Sequence, residues 1–340
     1  MPFQLMPLSQ QTVVITGASS GIGLTTARMA AERGAAVVMV ARNQSALEDA
    51  AGQIRAAGGR AAICAADISE SGYPERVAQV AEREFGGFDS WVNNAAVALY
   101  APIEEVREDE HRRVFDVGYF GTVNGSLFAA RKLRTRGGGA IINVGSVLSE
   151  RAVPLQGSYA AMKHAVLGFT EALRMELARD GAPISVTLIK PNGIDTPYPE
   201  HARNKMDKPA AIPPIRYDPA LVAKAICFAC ETPRRELLVG GQGVMITQLG
   251  NLFPGTLDKV MEAMMGEEAQ TSDVPPEPGA DDNLFEPRKD GRQRSNQGGY
   301  VRKRSYALEA QMHPAATALA GIGAAAVGTA AILAAKALKR

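Results

Sequence analysis

Two hydrophobic rhythms alternate along the first 240 residues. Short strand-like runs, mostly valine, isoleucine and alanine, fall at 13–15, 35–40, 61–66, 91–94, 140–144, 184–189 and 236–240. Between them lie longer stretches, at 45–57, 74–85, 109–133, around Tyr159 and at 221–230, where apolar residues recur every three or four positions. Runs of the first kind suit strands buried on both faces of a parallel sheet, and the second spacing is that of amphipathic helices. Such alternation implies right-handed crossovers and a doubly wound α/β domain, with ligands collecting at the carboxyl ends of the strands. The period predicts one long helix over 109–133, with Val114, Val117, Phe120 and Leu127 on its inward stripe.

The first strand runs straight into Thr16-Gly17-x-x-x-Gly21-Ile22-Gly23. Three glycines at this spacing let the backbone turn sharply and approach a bulky ligand. The helix opening near Gly21 offers unpaired N–H groups and the positive end of its dipole, which suits a pyrophosphate. At the end of the second strand stands Arg42, where NAD-binding sheets carry a carboxylate for the adenosine ribose. A guanidinium there pairs with a 2′-phosphate, so the cofactor expected is NADP(H), with Ser19, Ser20 and Asn43 as hydrogen-bonding helpers.

A second group of residues carries chemistry. Ser146 follows the fifth strand, and Tyr159 and Lys163, four apart, share one face of the next helix. A phenol titrates near pH 10, and an ammonium one turn away brings it toward the working range. Tyr159 is then placed to protonate a carbonyl oxygen as hydride arrives at carbon, with Ser146 hydrogen-bonding the same oxygen.

Taken together, these features resemble the short-chain dehydrogenases/reductases. The matching residues are the glycine loop, Asp67, Asn93-Asn94-Ala95, Ser146, Tyr159-x-x-x-Lys163 and Lys190-Pro191-Asn192-Gly193-Ile194-Asp195-Thr196, in order over roughly the first 240 residues. The resemblance implies a single Rossmann-like domain with a seven-stranded parallel sheet, assembled as a homodimer or homotetramer. It implies Ser146, Tyr159 and Lys163 as catalytic residues, Lys163 also bonding the nicotinamide ribose. By the same carry-over Asp67 and Ile68 flank the adenine, and Asn94, Ala95 and Ala96 line the cofactor. Pro191 lies on it, and Ile194 and Thr196 reach its carboxamide end.

The chain departs from the family's pattern at Ala96 and Asn192, where glycines are usual, and at Gly118. There the family usually holds an asparagine whose backbone carbonyl binds a water of the proton relay. Two functions from different classes therefore stay open. One is an NADP(H)-dependent oxidoreductase interconverting a carbonyl and an alcohol. The other is a cofactor-binding, membrane-tethered sensor or scaffold whose turnover Gly118 impairs.

The remaining chain is less patterned. Residues 198–217, rich in proline and charge, suit a substrate lid, and the methionine-bearing stretch 244–265, split by Pro254, suits either the roof of a pocket for an apolar substrate or a subunit contact. Beyond Gly266 the composition shifts. The reading here is a catalytic domain over 1–266, a polar and partly basic linker without structure of its own over 267–313, and an alanine-rich helix over 314–340. Residues 315–335 carry no charge and are long enough to span a bilayer, which would place the protein at a membrane through a C-terminal anchor; the alternative is an alanine-rich helix packed on a neighbouring subunit.

Composition changes this picture little. Apolar content of 46% and charged content of 21% are ordinary for a globular protein, and a net charge of +1 gives no reason to expect nucleic acid as a partner. Three cysteines do not make a disulfide framework and suggest a reducing, cytoplasmic setting. Cys227-x-x-Cys230, with no second pair and no nearby histidine, reads as two buried apolar residues of a helix rather than a metal site. The first residues lack the basic and apolar regions of a secretory signal.

Overall fold

The computed structural model describes residues 4–241, 252–288, 291–315 and 317. Seven strands form one parallel sheet: β1 (Thr12–Thr16), β2 (Ala36–Ala41), β3 (Arg60–Ala65), β4 (Ser90–Asn93), β5 (Gly139–Val144), β6 (Ile184–Pro191) and β7 (Glu236–Val239). Their order is β7-β6-β5-β4-β1-β2-β3, so the direction of winding reverses beside β1. Thr12 pairs with Ala36 on one side of β1 and Val13 with Ser90 on the other. The doubly wound sheet read from the sequence is present, and its switch point lies where the glycine loop leaves β1.

The helices on the two faces bury separate halves of the core. One face is covered by α1 (Gly21–Glu32) and α8 (Pro219–Glu231), with α2 (Gln44–Ala56) beside them, and the short α7 (Tyr198–His201) precedes α8 in the chain. The other carries α3 (Tyr73–Phe85), α5 (Gly121–Thr135) and α6 (Gly157–Arg179), packed around Trp91 and Tyr73. Cys227 and Cys230 are buried in α8, as the sequence predicts.

The helix expected over 109–133 departs from its predicted form. It consists of α4 (Glu108–Phe115), a π-helical turn over Asp116–Phe120, and α5. Gly121 donates its N–H to Asp116 five residues back, which inserts one extra residue and rotates the following face. Val114 and Val117 are buried as predicted, whereas Phe120 is 50% and Leu127 40% exposed. After the turn the inward face belongs to Gly121, Gly125, Phe128, Ala129 and Leu133.

The C-terminal region corrects a second expectation. A linker without structure of its own is predicted over 267–313, and most of 272–300 indeed lacks helix or strand. The segment nevertheless lies on the domain. Leu284 is 0% exposed within the core, Val301–Arg302 pairs with Arg216–Tyr217, and α10 (Tyr306–Met312) packs beside β7, where Gln311 Oε1 accepts from Leu238 N at 2.9 Å. Ion pairs at intervals replace the apolar periodicity that would have marked it. Of the predicted helical pair over 244–265, only α9 (Pro254–Met264) lies among the described residues in full, opening at Pro254, where the missing N–H costs nothing. The uncharged 315–335 segment lies outside the described residues except for Ala315 and Thr317. Among the described residues no helix is long and apolar enough to cross a membrane.

Candidate active site

One cavity of about 1130 Å³ opens at the carboxyl ends of the strands. The loop after β1 forms its floor. Gly17 has φ +68°, and a Cβ there would stand 2.8 Å from Ala95 Cα; a Cβ on Gly23 would stand 2.1 Å from Gly17 O. Only glycine lets the loop fold this tightly against β4. Asn94 fixes the contact from the other side, its Nδ2 donating to Thr16 O at 2.9 Å. Ser19, Ser20, Gly21 and Ile22 line the cavity, and so do Ala95 and Ala96. Among the described residues the N–H groups of Ile22 and Gly23, at the start of α1, have no protein partner. A loop with open N–H groups at a helix start fits the pyrophosphate of a nicotinamide dinucleotide.

The adenosine end is more occupied than the sequence suggests. Asp67 accepts from Arg113 Nη2 at 2.6 Å and from Ser69 N and Oγ at 2.9 and 2.7 Å. Burial raises its pKa, and the hydrogen bonds from Arg113 and Ser69 more than offset this, holding the carboxyl below its usual range. Ile68 is buried beside it. Arg42 lines the cavity without an ion-pair partner among the described residues, and gives its Nη1 to Phe285 O at 2.6 Å and its Nη2 to Asn283 O. Desolvation first, and the nearby Arg113 second, lower its pKa from the ordinary value. Asn43 is spent differently from its expected role. Its Oδ1 caps α2 by accepting from Ala46 N at 3.0 Å, and its Nδ2 donates to Arg288 O at 2.6 Å.

Ser146, Tyr159 and Lys163 come together deeper in the same cavity. Ser146 leaves β5 in extended conformation and its Oγ accepts from Leu148 N at 3.0 Å, so its own hydrogen is available to the Tyr159 hydroxyl. Burial pushes the Tyr159 phenol well above its ordinary value, and the Ser146 hydrogen bond opposes that shift. Lys163 is 3% exposed and donates to Val144 O at 2.6 Å, with Nζ 5.5 Å from the centre of the Tyr159 ring. Desolvation draws its pKa down to about 8. Pro191, at the end of β6, and Ile194 and Thr196 after it line the cavity, and Thr196 lies next to Gly21.

Several lining residues escaped the sequence reading. Tyr198 stacks edge-on against Tyr159 at 5.5 Å and Tyr100 stands behind it at 6.1 Å. Gln156 accepts from the Tyr198 hydroxyl at 3.1 Å and donates to Gln270 at 2.7 Å. Met261, Met264 and Met265, which did not escape that reading and belong to the stretch expected to roof the pocket, form an apolar wall together with Val153. Neither tyrosine has a spacing that announces it, whereas the methionines are visible in the sequence. Arg288 and Tyr300, from the C-terminal region, complete the rim.

Comparison with known proteins agrees with this geometry. Residues 11–207 match the short chain dehydrogenase family. An uncharacterized oxidoreductase of Bacillus subtilis, YxnA, is 42% identical over 317 residues, covering 93% of this chain and 89% of that protein. A 3beta-hydroxysteroid dehydrogenase of Mediterraneibacter gnavus is 34% identical over 197 residues, 57% of this chain and 69% of its own length. The crystal structure of L-sorbose reductase from Gluconobacter frateurii, complexed with NADPH and L-sorbose, superposes with a TM-score of 0.60 at 27% identity, covering 71% of this chain and 98% of that one. The chain belongs to the short-chain dehydrogenases, an oxidoreductase family that binds a nicotinamide cofactor.

Proposed function

We propose that this short-chain dehydrogenase is an NADP(H)-dependent reductase of a bulky, largely apolar carbonyl compound. The observation that carries the reading is the convergence of Ser146, Tyr159 and Lys163 on the cavity that Arg42 and the glycine loop also line. When bound, the reduced nicotinamide supplies the hydride that reaches the carbonyl carbon. Tyr159, kept protonated by burial, gives its hydroxyl proton to the carbonyl oxygen. Ser146 donates a hydrogen bond to that same oxygen and orients it. Lys163 keeps its remaining N–H donors for the phenolate left behind, whose charge it offsets. Tyr100, Tyr198 and the methionine wall exclude water from the reacting atoms and favour an apolar substrate over a polyol. A steroid ketone, suggested by the name of one relative, is therefore a better first candidate than the L-sorbose of the solved neighbour.

Two measurements test this. Consumption of NADPH is followed with a panel of carbonyl compounds that includes a steroid ketone, an aliphatic ketone and L-sorbose. Binding without turnover on every member would favour the cofactor-sensing alternative. Arg42→Ala should weaken NADPH binding by about 1.5–3 kcal/mol, the worth of a charged hydrogen bond, and leave NADH nearly unchanged. Equal losses for both would remove the case for NADP(H).

A further inference from the structure

Residues 283–288 and 291–292 of the C-terminal arm lie at the rim of the dinucleotide cavity. Its main-chain carbonyls take hydrogen bonds from the donors that surround the phosphate positions. Arg42 donates to Asn283 O and Phe285 O, Asn43 Nδ2 to Arg288 O at 2.6 Å, and Gly21 N to Arg292 O at 2.9 Å. The arm takes the Gly21 N–H and one hydrogen on each Nη of Arg42, and leaves the Ile22 and Gly23 N–H groups open.

Arg288 stands on this arm and lines the same cavity as Arg42. Its place is fixed by the hydrogen bond from Asn43 to its own carbonyl, and its Nη1 donates to Glu200 O at 3.2 Å and to Asp281 O. Those acceptors are neutral. Among the described residues neither Arg288 nor Arg42 has a carboxylate within ion-pair distance, unlike Arg113, which has Asp67 at 2.6 Å, and Arg292, which has Glu200. A guanidinium that lines a cavity without a carboxylate partner gains a charge-assisted hydrogen bond from an anion that enters it.

We propose that Arg288 is a phosphate-binding residue of the dinucleotide site, so that the C-terminal arm is a working wall of that site. The inference rests on the reading of the cavity as a nicotinamide-dinucleotide site. It does not rest on the preference for NADP(H), because NADPH and NADH share a pyrophosphate. A bound phosphate gains a bidentate partner from outside the sheet-built half.

The test uses the full chain without ligand. NADPH and NADH are titrated by calorimetry into wild type, Arg288→Met and Arg288→Lys at several salt concentrations. Arg288→Met should weaken binding about tenfold to a hundredfold, as for a lost charged hydrogen bond, and Arg288→Lys should recover part of it. The affinity of Arg288→Met should also fall less steeply with added salt, a change that mere loosening of the arm would not produce. A loss confined to NADPH assigns Arg288 to the 2′-phosphate, and equal losses assign it to the pyrophosphate. Unchanged affinity for both dinucleotides overturns the proposal alone, and failure of wild type to bind either overturns the cofactor reading with it.

Discussion

Two parts of this molecule wall the same cavity and are held by different forces. The sheet-built half, from β1 to the segment after β6, places its residues through parallel strand pairing and an apolar core on each face. Among the described residues of 281–302 the C-terminal arm has one fully buried apolar anchor, Leu284, and is otherwise held by polar contacts, before Leu308 of α10 docks in the core. Arg203 pairs with Asp282 at 2.7 Å, Arg294 with Asp218 at 2.8 Å, and Arg113 donates to Leu284 O at 2.8 Å. Apolar burial fixes geometry regardless of salt, whereas half-exposed ion pairs contribute about 0–1 kcal/mol each and weaken with ionic strength. The comparison therefore assigns rigid chemistry to the first part and adjustable enclosure to the second.

The sharpest separation should come from Tyr159→Phe. Loss of the proton donor should lower turnover about a thousandfold or more, while dinucleotide binding, measured by titration, stays within about twofold of wild type. Residual turnover near wild type would mean that the proton comes from elsewhere.

Leu284→Ala probes the other part. Truncating a fully buried leucine costs about 2–5 kcal/mol, more than any single ion pair of the arm returns. Amides of 281–302 should lose protection in hydrogen exchange while those of β1, β4 and β5 keep theirs. Equal loss in both places would show that arm and sheet form one cooperative unit, and the contrast would fall.

The same contrast explains what the sequence disclosed. β1 to β7 were legible because buried parallel strands are continuous apolar runs, and the glycine loop, Ser146, Tyr159 and Lys163 because their spacings follow from chemistry. The arm was hidden because its contacts are long-range ion pairs. Arg113 and Asp67 are 46 residues apart and Arg203 and Asp282 are 79, so no local period records them. The acidic and basic stretches on either side of Leu284 and Phe285 were the available signal. Of these two Leu284 docks in the core, while Phe285 stays 38% exposed. Phe120 and Leu127 were misplaced for another reason: a π-turn shifts the face of a helix without any mark in its hydrophobic period.

Lys163 supplies a prediction about the cost of the rigid part. An unfolded lysine releases its proton near 10.5 and this one near 8. Below pH 8 both states are charged and the full desolvation cost, on the order of 3 kcal/mol, is present. Between the two values the unfolded state binds more protons, so this group makes stability rise with pH. Lys163→Met should therefore melt higher than wild type at pH 7, net of the partner lost by Val144 O, and the gap should narrow as pH rises above 8. A gap independent of pH would show that the ammonium is not the source.

The smallest effect is expected at Gly118, and it decides whether this position is a defect in the rigid part or a fitted piece of it. Gly118 lies in the π-turn with its carbonyl accepting from Thr122 Oγ1 at 2.8 Å. A Cβ at this position would meet Met162 Sδ and Cε at 2.6 Å and Cγ at 3.0 Å, and Met162, on α6 where it packs against the π-turn, is 0% exposed. Restoring the asparagine common at this place in the family is therefore not a simple repair. The side chain would displace a buried methionine, and overpacking of this kind costs about 1–3 kcal/mol. Gly118→Asn should lower the melting temperature without raising turnover. Met162→Ala should also destabilise on its own, by leaving a cavity. Combined, the two changes should cost clearly less than the sum of the single losses, since the asparagine then occupies space that the methionine has vacated. Strict additivity would mean that glycine and methionine are not matched to each other, and that the absence of the asparagine at 118 has a cause other than packing.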